Sequence, residues 1–119
     1  MFNNTLQYTL ESIIQHIDKC EYRFLEIYTP EDFVSTEKGN LLLDAIVTRL
    51  QAIGENVKNI SKKHQDLLDK YPEIEWIKII RFRDFVSHHY EMLDYEIVFQ
   101  ICDTFLPKLK HVILSELNI

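Results

Sequence analysis

Within eight residues the chain reads Arg83, Asp84, Phe85, Val86, Ser87, His88, His89 and Tyr90. A guanidinium, a carboxylate, two imidazoles and a phenol stand together in an otherwise apolar segment. Such groups are costly to bury unpaired. Arginine grips phosphate oxygens in a planar fork, and histidine moves protons near neutral pH. Asp84 and His88 are four residues apart, one helical turn on a shared face, where a carboxylate orients an imidazole and raises its basicity. Arg83 and Tyr90 share another face, displaced by about 140° from His88 in a regular helix. Arg83 and His88 therefore meet only if the arginine stem wraps round the helix or if two chains converge about a two-fold axis.

Arginine with histidine suits cleavage of RNA, in which the substrate's own 2′-hydroxyl attacks the phosphorus. His88 would act as general base or acid. Arg83 would hold the phosphate oxygens and stabilise developing charge, and Asp84 would orient either one. On spacing alone the same residues also read as a surface ion-pair set. Arg81, Ser87 and His89 are auxiliary candidates, and Lys78, Arg81 and Arg83 form a basic spot on an acidic body. Trp76, Phe82 and Tyr90 offer stacking surface or simply core. His88 and His89 are adjacent, His16, His64 and His111 are scattered, and no HExxH occurs, so no metal is expected. No glycine-rich phosphate loop occurs either, and no cofactor is expected.

The elements that must position these groups are helices. The chain has only two glycines and three prolines in 119 residues, which favours long helices joined by short loops. Its length suits a single domain, residues 1–119, with one core. The expected fold is all-α, an antiparallel bundle of four main helices with a short extra helix. The first helix is expected over Thr5–Tyr28, followed by a cap at Thr29-Pro30 and an anchoring turn at Phe33 and Val34. The second runs from Ser35-Thr36-Glu37 to Ile60, with Gly54 inside it marking close packing by a neighbour or simple tolerance. A polar connection around Leu67 and Leu68 holds one or two turns. The third helix covers Ile74–His89, and the fourth runs from an Asp94 cap to Leu117 with a kink or break at Pro107. The third is apolar all round, through Ile74, Trp76, Ile77, Ile79, Ile80, Phe82, Phe85 and Val86. Such a helix is buried on more than one side, either by a second copy in a homodimer or by a central place in one bundle.

The net charge of −6 disfavours a surface given over wholly to nucleic acid. No run of about 18 apolar residues occurs, so no membrane span is expected. Met1-Phe2-Asn3-Asn4-Thr5 lacks the basic start of a signal peptide. Cys20 and Cys102 form no CxxC motif and read as reduced core thiols of a cytoplasmic protein.

Arg83, His88 and Tyr90 fit R-x-x-x-x-H-x-Y, which resembles the signature of the HepT-like ribonuclease toxins of the HEPN superfamily. The segment 50–58 is similar to that family's "IGEA" helix. Ile74–Asp84 is similar to its "PWxxIxxxRN" approach, and Leu106-Pro107-Lys108-Leu109 to its "LPxL". The resemblance implies an all-α domain that dimerises around a shared Arg/His cleft and cleaves RNA without a metal. It also implies a type VII-like toxin–antitoxin pair, in which a minimal nucleotidyltransferase antitoxin transfers AMP to the tyrosine, here Tyr90. The alternative is a non-catalytic HEPN module that binds a nucleotidyltransferase or a nucleotide. Asp84 stands where the family often has asparagine, and Glu75 where it has proline. His88 is preferred to His89 because it keeps both the gap to the arginine and the tyrosine two places on.

Overall fold

The computed structural model describes residues 4–118. Helix α1 (Asn4–Phe24) buries Leu6, Leu10, Ile13, Ile17 and Cys20 along one stripe. It ends at Phe24, before the expected Tyr28, with the Phe24 ring 6.4 Å from Phe33 and 5.1 Å from Phe99. Leu25 and Tyr28 are left exposed. A 3₁₀ turn, Pro30–Phe33, follows. The Asp32 carboxylate accepts the Tyr28 and Thr29 amides at 2.8 and 3.0 Å, which starts the turn. Phe33 is fully buried, while Val34 is exposed and anchors nothing.

Helix α2 (Glu37–Lys63) starts at Thr36, whose hydroxyl accepts the Gly39 amide at 2.9 Å. It buries Leu43, Ile46, Val47, Leu50, Ile53, Val57 and Ile60. It runs antiparallel to α1, as the order of their contacts shows. Arg23 donates to the Ala45 carbonyl, the Cys20 thiol to the Ile46 carbonyl, Arg49 pairs with His16, and Asn56 donates to Ser12. The short α3 (Gln65–Asp69) buries Leu67 and Leu68.

The Trp76 indole N–H donates to the carbonyls of Leu68 and Tyr71 at 3.1 Å each, and the Tyr71 hydroxyl donates to Glu116 at 2.7 Å. These bonds fix the entry to α4 (Trp76–His89), which lies against α2 and passes into a 3₁₀ turn, Tyr90–Met92. Asp94 caps α5 (Tyr95–Gln100) by accepting the Glu96 amide. A π turn, Ile101–Phe105, then carries the chain into α6 (Leu106–Leu117), which packs on α1. Pro107 is preceded by the interruption expected of it, this π turn, and breaks nothing itself. It sits in the first turn of α6, where the widened turn before it accommodates the ring and the missing N–H.

The fold is all-α, and no strand occurs among the described residues. No helix among them is long and apolar enough to cross a membrane. Cys20 and Cys102 are both buried and unbridged. Of the apolar residues on α4, Ile79 and Val86 are buried, whereas Ile77 and Phe85 are 52% and 41% exposed.

Candidate active site on α4

The site begins with a glycine. At Gly54 of α2 an added Cβ would lie 2.5 Å from the Arg83 Cβ and 2.9 Å from the Ile79 carbonyl oxygen. The missing side chain therefore lets α4 press its backbone and the root of Arg83 directly onto α2. Of the two readings of Gly54, close packing is the one the structure supports.

The Arg83 guanidinium is tied at both ends. Its Nη2 lies 2.7 Å from Oε2 of Glu55 on α2, and its Nη1 donates to Oδ1 of Asp84 at 2.9 Å. Lys58 reaches the same Asp84 oxygen at 3.5 Å. Glu55, Arg83, Asp84 and Lys58 thus form a chain of alternating charge in which two positive groups cancel two negative ones. The Arg83 hydrogen bond is the main cause holding the Asp84 carboxyl below the ordinary carboxylate range, with Lys58 adding to it.

His88 is exposed, and its ring neighbours His89 at 6.4 Å between centroids. His89 in turn lies 5.3 Å from Phe85. Asp84 and His88 do not pair, because Asp84 is engaged by Arg83 and Lys58. No hydrogen bond or ion pair joins His88 to Arg83 within the described residues. The two stand on different faces of α4, as helical geometry requires. His88 shares the outward face with Ile77, Arg81 and Phe85, all exposed. Ser87 is exposed as well.

Tyr90 donates its hydroxyl to Asp44, near the start of α2. Partial burial and the Asp44 carboxylate push the phenol up to about 12. Asp44, Glu55 and Lys58 were not candidates on sequence grounds. A signal was present nonetheless: Asp44, Thr48, Gln51, Glu55 and Lys58 alternate at steps of four and three, a polar stripe on one face of α2. That stripe runs alongside the site on α4. Among the described residues no group of three or more His, Cys, Asp or Glu is placed to hold a metal.

A family profile described as "Ribonuclease HepT-like" matches residues 8–115. The chain belongs to the HepT-like ribonuclease family. The match takes in both α2 and α4, and so every residue of the candidate site described above. A relative from Methanocaldococcus jannaschii, provisionally named as an RNase, is 33% identical over 71% of this chain and 64% of its own length. Another from that organism, whose name joins a gamma-glutamylcyclotransferase to a provisional RNase, is 29% identical over 89% of this chain. This chain spans only 45% of that second protein, so both relatives extend well beyond it. A Thermococcus cleftensis protein named as a probable ribonuclease HepT is 33% identical over 85% of this chain and 86% of its own. No solved structure gives a significant match.

Proposed function

We propose that this HepT-like chain is an endoribonuclease that cuts RNA by attack of the 2′-hydroxyl and needs no metal ion. The observation that carries this reading is the contrast between an anchored Arg83 and an open His88 on one helix. His88 removes the 2′-hydroxyl proton, and the freed oxygen attacks the adjacent phosphorus. The bond to the 5′-oxygen breaks, and that oxygen takes a proton from a protonated imidazole. Arg83 spreads the charge that builds on the non-bridging oxygens, the part a metal ion plays elsewhere. Asp84 orients Arg83. Arg81 and Ser87 flank the path, and His89 competes with His88 for the proton-transfer role.

Because Arg83 and His88 face different ways in one chain, the working site is a cleft between two copies. The exposed Ile77 and Phe85 beside His88 support such a homodimer. Residues 1–119 act as one domain, in the cytoplasm, as the toxin of a type VII-like pair. Its partner is a minimal nucleotidyltransferase antitoxin that transfers AMP to Tyr90. The added phosphodiester would block the cleft and repel RNA.

The test is cleavage of RNA by the purified chain in chelator. Arg83→Ala and His88→Ala are each expected to lower the rate by about 100- to 10,000-fold, the range for general acid–base and charge-stabilising groups. His89→Ala should leave most of it. A second reading, a non-catalytic module that binds the nucleotidyltransferase, is favoured by the zero net charge of the Glu55–Arg83–Asp84–Lys58 chain. Intact, folded protein without cleavage and without growth inhibition would select it.

A further inference from the structure

We infer that Glu55 is the positioning residue of this site, fixing the Arg83 guanidinium from the neighbouring helix. The inference rests on the ribonuclease reading for its catalytic consequence and on the structure alone for its geometry.

Arginine side chains carry many rotamers, and a charge-stabilising donor is useful only when aimed beforehand. Two carboxylates touch the Arg83 guanidinium, and they are not equivalent. Asp84 is the next residue on the same helix, so its bond to Nη1 ties the arginine only to its own backbone. Glu55 comes from α2 and meets Nη2 at 2.7 Å. Its Oε2 is shielded from solvent and accepts no hydrogen bond, so the ion pair with Arg83 is what holds it. The residue before it is Gly54, where the missing side chain admits the Arg83 stem against the α2 backbone. Stem and head of the arginine are thus both referred to α2. Only the bond to Asp84 uses an N–H, one of the two on Nη1; Glu55 holds Nη2 as an ion pair. The Nε–H, the second N–H of Nη1 and the N–H groups of Nη2 make no hydrogen bond and remain for a phosphate. Glu55 therefore restrains the fork without consuming it.

The experiment compares Glu55→Ala, Glu55→Gln and wild type. Gln keeps the shape and an oxygen dipole against Nη2 but not the charge, whereas Ala keeps none of these. On an RNA oligonucleotide, Glu55→Ala should lower kcat by about 100-fold with KM nearly unchanged, the scale of a misplaced catalytic group. Glu55→Gln should recover part of that loss, through the retained shape and dipole. Thermal melting of the two variants should be alike, which separates positioning from folding. In parallel, nitrogen-15 NMR of Arg83 should show resolved, slowly exchanging Nη signals in wild type and Glu55→Gln, and averaged ones in Glu55→Ala. The inference fails if both variants lose kcat equally, if the loss appears in KM, or if Glu55→Ala cleaves faster, which would make Glu55 a competitor of phosphate. If wild type cleaves nothing, the ribonuclease reading falls, and the Arg83 signals decide the positioning by themselves. Unchanged signals in Glu55→Ala would overturn it.

Discussion

The Tyr90 phenol donates to the Asp44 carboxylate, joining the 3₁₀ turn after α4 to α2. The folded chain keeps that proton to about pH 12, against about 10 for an ordinary tyrosine. The sign of the linkage follows. The contribution is fully present below about pH 10 and is lost as pH climbs through about 12, because over that window the unfolded chain has released the proton first. Asp44→Asn should lower the Tyr90 transition partway toward 10, since partial burial remains. Ultraviolet titration against a Tyr90→Phe control measures it. Loss of stability over that alkaline window should be smaller in the variant. At the opposite end of the scale, Asp84 stays ionised throughout the neutral range, held by Arg83. Its own contribution is present above the ordinary carboxylate range and lost as pH falls through its lowered value.

At the level of helices, the decisive contact is Gly54 against Arg83. Gly54→Ala should force α2 and α4 apart, and overpacking of this kind costs about 1–3 kcal/mol, readable by urea denaturation. Cleavage should fall further than stability, because the same shift moves the Arg83 stem. Helix limits were largely legible beforehand, since Thr36 and Asp94 cap in sequence as they cap in space. The end of α1 was not: Phe24 closes the stripe that Cys20 carries, and its ring partners, Phe33 and Phe99, are distant in the chain. Pro107 marked the interruption of the last helix but not its form, a π turn over Ile101–Phe105 ahead of the ring. The site divided the same way. Arg83, Asp84, His88 and Tyr90 announce themselves by type and by spacing within one helix. Glu55 and Asp44 matter only through the register of α2 on α4, which periodicity along a single helix does not encode.

For the molecule as a whole, the open question is what meets the outward face of α4. In one chain that face sets Ile77 and Phe85, half exposed, beside Arg81 and His88. If a second copy covers it, as proposed above, specific activity should drop on dilution and recover on concentration. Serial dilution of the enzyme at fixed RNA measures this, with sedimentation reporting the fraction paired. Activity per chain that is constant across the dissociation range would reject the two-copy site. The exposed setting of His88 then has a kinetic meaning. With such a two-copy site, output would grow with the square of abundance at low copy number. A few freshly made molecules would be nearly harmless by mass action alone, before any inhibitor reaches them.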